Sequence, residues 1–235
     1  MTQELPRFSM PVLSSELIAS NQVLLRLDAR DTAFGSTHKR AGQYAFLHLP
    51  GEARAKPFVL ASLPGAEEPE ILVKASGAPE VESLRGLVGA EVELSAAEGH
   101  GYPLHKAEGR PLHLFAVGSA IAALRPVIES VLLVRDRYGP VHLYYGVQQP
   151  EDFAFAQDFP RWQQGLTSVT LVVSRPEGTS WEGEVGYVTD HLPDVLEDAE
   201  RAVAFVCGLP EMEQDVYTAL EVRGVLEDRV FRNYG

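Results

Sequence analysis

The sequence predicts two units, an antiparallel β-barrel or sandwich over residues 1–108 and an α/β unit with a parallel sheet over 109–235. Two observations carry this. Apolar runs in the first hundred residues are short, closely spaced and separated by turn formers, the pattern of small antiparallel sheets. After about residue 108 the apolar runs alternate with helical segments, which implies right-handed βαβ units. The stretch His105-Lys106-Ala107-Glu108-Gly109-Arg110-Pro111 is the linker between the two rhythms.

In chain order, strands are expected at 23–27, 44–49, 57–61 and 71–74, with turns at Ala41-Gly42 and Pro64-Gly65. A short helix follows at 81–87, and Glu91-Val92-Glu93-Leu94 alternates as a strand. The second unit reads as parallel strands at 112–117, 141–145, 169–173 and 202–206, with helices near 120–135, 151–164, 187–198 and 211–223.

Composition excludes several function classes. The chain has 45% hydrophobic and 23% charged residues, ordinary for a soluble globular protein. Its net charge of −13 repels nucleic acid and disfavours an acidic protein partner. No apolar run approaches the roughly 18 residues of a membrane span, and the segment starting at Met1 lacks the basic and apolar regions of a leader. A cytoplasmic protein is expected. One cysteine forms no internal disulfide, and the histidines show no metal-ligand spacing. Neither a G-x-S-x-G elbow nor a P-loop occurs.

Two turns carry chemistry. Gly118-Ser119-Ala120-Ile121 follows the first parallel strand and enters a helix. A small-residue turn there admits a pyrophosphate to backbone N–H groups and the positive helix end. The same residues also serve plain helix–sheet packing. Cys207-Gly208-Leu209-Pro210-Glu211-Met212 ends an apolar run and opens another helix, where open α/β sheets bind ligands. Cys207 reads either as a buried small hydrophobe or as a ligand contact.

Several segments, in order, resemble the ferredoxin–NADP reductase superfamily, in which an FAD-binding barrel precedes an NAD(P)-binding domain. Ala41-Gly42-Gln43-Tyr44 is similar to its P-G-Q-Y strand, and Lys56-Pro57-Phe58-Val59-Leu60-Ala61-Ser62 to R-P-Y-S-I-A-S. Gly118 to Arg125 resembles G-T-G-I-A-P-L-R, and Leu143-Tyr144-Tyr145-Gly146 resembles a strand ending in Y-G. Trp181-Glu182-Gly183, Gly186-Tyr187-Val188 and the Cys207 turn resemble W-x-G, G-x-V and C-G-x-x-x-M. The likeness covers nearly the whole chain and points to divergent bacterial and plastid reductase-like proteins.

The resemblance implies FAD, and NADP or NAD, as cofactors. It sets Lys56, Pro57, Phe58, Val59, Ala61, Ser62, Leu72, Val73, Lys74 and Gly77 along FAD, with Phe58 against the flavin ring. Gly118, Ser119, Ala120, Ile121, Gly208, Leu209 and Met212 would meet the nicotinamide dinucleotide, with Cys207 as the catalytic contact where hydride passes. Ser174 and Arg175 stand where the family contacts the 2′-phosphate of NADP, although an exposed loop arginine is the plain alternative. Tyr234 either faces the flavin or belongs to a fraying end. His100 and His105 flank a glycine-containing loop that lies near the flavin in relatives.

The departures bear on FAD. Lys56 replaces an arginine fork with a point charge, Phe58 lacks the tyrosine hydroxyl, and Val59 lacks the serine hydroxyl that bonds a flavin ring nitrogen. Gly77-Ala78-Pro79 offers no hydroxyl and one N–H fewer, and Ser119-Ala120 adds a methyl where T-G would stand. Each loss costs about 1–3 kcal/mol on the scale of a hydrogen bond to a charged group. The implied function is hydride transfer between NAD(P)H and bound FAD, with electrons leaving to an unidentified acceptor. The alternative is a degenerate member with weak or no flavin binding, acting as a regulatory or interaction subunit.

Overall fold

A computed structural model of the protein describes residues 5–234. Residues 1–4, where the segment read for a leader begins, and Gly235 lie outside the described residues. The first sheet comprises β1 (Arg7–Ala19), β2 (Gln22–Leu27), β3 (Tyr44–His48), β4 (Lys56–Val59), β5 (Glu70–Lys74) and β6 (Glu91–Ser95), with α1 (Ala78–Arg85) between the last two. The second unit runs β7 (Leu112–Val117), α2 (Ile121–Leu133), β8 (Val141–Val147), α3 (Phe159–Gly165), β9 (Ser168–Val173), β10 (Glu184–Val185), β11 (Val203–Cys207), α4 (Pro210–Val222) and β12 (Val230–Arg232).

The first six strands pair antiparallel in the order β4-β3-β6-β1-β2-β5. The two outer strands meet where Leu60 bridges Ile71 and the Ala61 N–H donates to the Glu70 carbonyl at 2.8 Å, curling the sheet into a barrel rather than a sandwich. Strand alternation divides β2 between two cores. Val23, Leu25 and Leu27 point into the barrel with Met10, Leu47, Ile71 and Leu94, whereas Leu24 joins the core shared with the second unit.

The second sheet is wholly parallel, in the order β10-β9-β8-β7-β11-β12. Its central strands are near-continuous apolar runs because helices or the barrel cover both faces. The same core cluster holds Leu72 and Ala61 of the barrel together with Leu114, Ile121, Leu124 and Cys207, so the units are packed together.

Polar contacts fix that packing. Arg125 of α2 donates to the Ala61 carbonyl at 3.0 Å and pairs with Glu70 of the barrel and Asp158. Burial opposes its charge, but Glu70 and Asp158 outweigh that and raise its pKa. The Tyr102 hydroxyl donates to the Val206 carbonyl at 3.0 Å, and Gln22 Nε2 to the Asp152 carbonyl at 2.8 Å.

Some expected elements take other forms. The helix expected at 151–164 is broken into 3-10 turns at Pro150–Asp152 and Ala156–Asp158 before α3, because Phe155 adopts a left-handed φ of 59° and Pro160 suits only a helix start. The one expected at 187–198 is reduced to a 3-10 turn at Val188–His191, since Pro193 stops its continuation. The longest strand, β1, has no counterpart among the expected elements. It contains Pro11, and its register against β2 shifts between Val12 and Ser14 and between Leu17 and Ala19.

Candidate functional site

Strand β7 is the switch point of the parallel sheet: β8 leads away on one side and β11 adjoins it on the other. The turns after β7 and β11 therefore flank one crevice at the carboxyl ends of their strands. Gly118 takes a left-handed φ of 55°, and a Cβ there would have nothing within 4 Å. The turn is open to a ligand on the side where a side chain would stand. Its carbonyl accepts the buried Tyr145 hydroxyl at 3.1 Å, and a 3-10 turn, Gly118–Ala120, leads into α2. Across the crevice, a Cβ on Gly208 would collide with Met212 Cε and lie 2.8 Å from Val117 Cγ2. Only glycine lets these two turns approach.

Cys207 ends β11 beside Ala116 of β7. Its thiol is buried, and it donates weakly to Asn233 Oδ1 at 3.5 Å. Asn233 Nδ2 in turn bonds the Gly42 carbonyl at 3.3 Å, linking the β11 end to the barrel segment 41–44. Burial, then the negative charge of Glu213, pushes the thiol up to about 12, so at neutral pH it is a small, uncharged, polarisable group.

Sequence reading passed over Glu213. Its side chain is 1% exposed; it pairs with Arg232 Nε at 3.1 Å and accepts from the Tyr234 hydroxyl at 2.7 Å and the Gly208 N–H at 3.3 Å. That carboxylate raises the Tyr234 phenol to about 12 and holds it in place. The available signal was spacing: Glu213 falls three and seven residues before Val216 and Leu220 on the buried face of α4. Tyr102 was likewise singled out only as part of a loop, yet it is buried and stacks on Phe205 with ring centroids 4.7 Å apart.

The barrel carries a second concavity, of about 270 Å³, between β4, β5 and the start of α1. Lys56, Pro57, Phe58, Val73 and Lys74 line it together with Glu52 and Glu80. Gly77, just before α1, has extended backbone that any residue adopts. Val59 packs against the core shared by both units, on the opposite side of β4 from Phe58, which packs on the barrel core. Ala61 and Ser62 lie deeper: Ser62 Oγ accepts the Glu70 N–H at 3.2 Å, and Leu72 is buried in the shared core. These last residues hold the wall rather than line the cavity.

Ser174 and Arg175 follow β9, tied to the end of β8 by N–H bonds to the Val147 and Gln148 carbonyls at 3.0 and 2.9 Å. They thus share the sheet edge of Gly118, with Arg175 exposed. Leu209 and Tyr234 are exposed, at 68% and 46%. Of the predicted residues, Lys56, Pro57, Phe58, Val73 and Lys74 share the cradle, and the Gly118 and Cys207 turns lie at the ends of neighbouring strands. Val59, Ala61, Ser62 and Leu72 do not line the cradle. The left-handed, unobstructed Gly118 turn before a helix fits a dinucleotide phosphate. An aromatic wall at Phe58 beside two lysines fits a flavin with an anionic tail. Among the described residues no group of three or more His, Cys, Asp or Glu is arranged to hold a metal, and no helix is long and apolar enough to cross a membrane.

Comparison with known proteins agrees with this geometry. Residues 114–218 match the oxidoreductase NAD-binding domain family. The chain is 28% identical over 204 residues to the reductase component of propane 2-monooxygenase from Rhodococcus jostii (strain RHA1), covering 82% of this chain and 54% of that protein. It is 30% identical over 206 residues to the fruit protein pKIWI502 of Actinidia deliciosa, covering 80% of this chain and 64% of that one. The chain thus spans less than two thirds of the length of these curated relatives. A ferredoxin–NADP+ reductase from Neisseria gonorrhoeae, solved with FAD and NADP bound, superposes with a TM-score of 0.79 at 18% identity, over 99% of this chain and 100% of that one.

Proposed function

We propose that the chain is a ferredoxin–NADP reductase-like protein, an NAD(P)H-dependent flavin oxidoreductase that passes electrons on to a separate acceptor. The observation that carries this reading is the Gly118–Cys207 crevice at the sheet's switch point, joined through Asn233 to the barrel that bears the Phe58 cradle. When bound, nicotinamide and flavin supply the hydride chemistry, and the protein positions them.

In this reading the division at residue 108 separates a flavin unit from a dinucleotide unit. Gly118, Ser119, Ala120 and Ile121 receive the dinucleotide phosphates at the start of α2. Gly208, Leu209 and Met212 form the opposite wall, and the neutral Cys207 thiol permits close approach without a competing charge. Arg175 favours NADP over NAD, because an exposed guanidinium pairs with a 2′-phosphate that NAD lacks. Lys56, Phe58, Val73 and Lys74 hold FAD along the cradle, with Phe58 stacking but bonding no ring atom. Tyr234, held by Glu213 beside the Cys207 turn, covers the nicotinamide-side face until the dinucleotide enters.

By analogy with that similar monooxygenase reductase component, the acceptor in this reading is a redox protein or oxygenase partner, and the proposed compartment is the cytoplasm. The test is a visible spectrum of the purified protein with added FAD, followed by anaerobic titration with NADPH and NADH. Flavin absorbance that bleaches with either nucleotide supports the reading. A protein that takes up no FAD and bleaches nothing overturns it in favour of an interaction subunit.

A further inference from the structure

The cradle beside β4 contains acids that the proposed flavin site has no use for. Lys56 Nζ donates to Glu52 Oε1 at 2.8 Å. Glu80 Oε2 accepts both the N–H and the hydroxyl of Ser76, each at 2.7 Å. Glu80 stands in the first turn of α1, where Pro79 has no N–H to give. Ser76, just ahead of the helix, therefore already donates to an anion, and that anion is part of the chain. The Ser76 N–H, then its hydroxyl, hold the Glu80 carboxyl below the usual carboxylate range, so it is charged at neutral pH. Lys56, Lys74, Glu52 and Glu80 line the same cavity, and their formal charges cancel.

We propose that Glu52 and Glu80 form an internal counter-anion that competes with the diphosphate of FAD for Lys56 and for the Ser76 donors ahead of α1, so that flavin exchanges with solution instead of being retained. This rests on the reading of the cradle as the flavin site. A diphosphate entering the cavity meets a lysine already paired and a carboxylate already held by Ser76, and like charges at this range repel. The ring and ribityl chain of a flavin are uncharged, so riboflavin meets no such opposition. The two acids thus narrow the gap in affinity between FAD and riboflavin that the lysines alone would create.

The test is flavin-fluorescence titration of the full chain with FAD and, in parallel, with riboflavin. For Glu52→Gln and Glu80→Gln, the FAD dissociation constant should fall about fivefold each and about twentyfold in the double variant, while riboflavin changes less than about twofold. Lys74→Gln should act in the opposite direction, weakening FAD about fivefold and leaving riboflavin alone. This keeps the test decisive even where a glutamate variant folds poorly. Unchanged FAD affinity in the double variant, or equal tightening of both flavins, overturns the proposal while the flavin site stands. Failure of every form to bind either flavin removes the flavin site itself, and the proposal with it.

Discussion

The crevice between the β7 and β11 turns and the cradle beside β4 are built on opposite terms. In the crevice each residue is fixed by its neighbours: Gly208 has no room for a methyl, Tyr145 pins the Gly118 carbonyl, and the Glu213 side chain is buried under Arg232 and Tyr234. In the cradle the lysines are exposed and the acids half-buried, and Lys56–Glu52 and Ser76–Glu80 pair along short stretches of their own chain. A site inside a close-packed interior cannot drift without costing stability. A surface cradle can: the departures Lys56 and Phe58 line it, whereas Val59 packs on the shared core and Ser119-Ala120 lies in the crevice turn.

The largest expected effect parts the two regions. Arg125→Met removes the guanidinium between Glu70 and Asp158, whose side chains are 11% and 15% exposed, leaving them only Arg26 and Arg161, and should lower unfolding free energy by about 3 kcal/mol in urea titration. A loss under about 1 kcal/mol would mean that Arg125 adds little to the packing of the two units. Gly208→Ala tests the crevice: the clash with Met212 and Val117 should cost about 2 kcal/mol and weaken nicotinamide dinucleotide binding at least about tenfold by calorimetric titration.

A pH series tests the same sheet. Burial, then the neighbouring His142, depresses His113 on β7 from 6.5 to about 3. The unfolded chain therefore takes up this proton first, so stability present above pH 6.5 is lost as pH falls towards 3. At pH 5 the share of His113 is about 2 kcal/mol, and His113→Phe, which keeps the stacking on His142, should flatten the fall in unfolding free energy from urea titration between pH 7 and 5 by that amount. In the cradle, by contrast, Lys74→Gln should change unfolding free energy by less than about 0.5 kcal/mol in the same assay. A larger change would give the cradle a structural part and erase the contrast.

Much of the fold was readable from the sequence, for identifiable reasons. The expected strand at 112–117 coincides with β7, and those at 141–145, 169–173 and 202–206 fall within two residues of β8, β9 and β11. Strands buried on both faces leave continuous apolar runs. β1 left no such trace, because only one of its faces is covered and its register shifts remove the strict alternation. The expected helices failed where Phe155 and Pro193 set the backbone, a local effect that apolar spacing does not report. For the site, Gly118 and the Cys207-Gly208 turn were visible because small residues at a strand end have a local meaning. Glu213, Asn233 and Tyr102 were not, since their roles come from partners as much as 191 residues away.

The sequence by itself determined the order of the two units and the two turns that face a ligand. Hydrophobic rhythm and backbone freedom are properties of short segments. Tertiary structure alone decided that Cys207 is a neutral buried thiol, that Glu213 ties the Gly208 turn to β12, and that Glu80 is held by Ser76 in the cradle beside Lys56. Each of these depends on which charges are removed from water, and on which donors reach them, once distant segments have packed together.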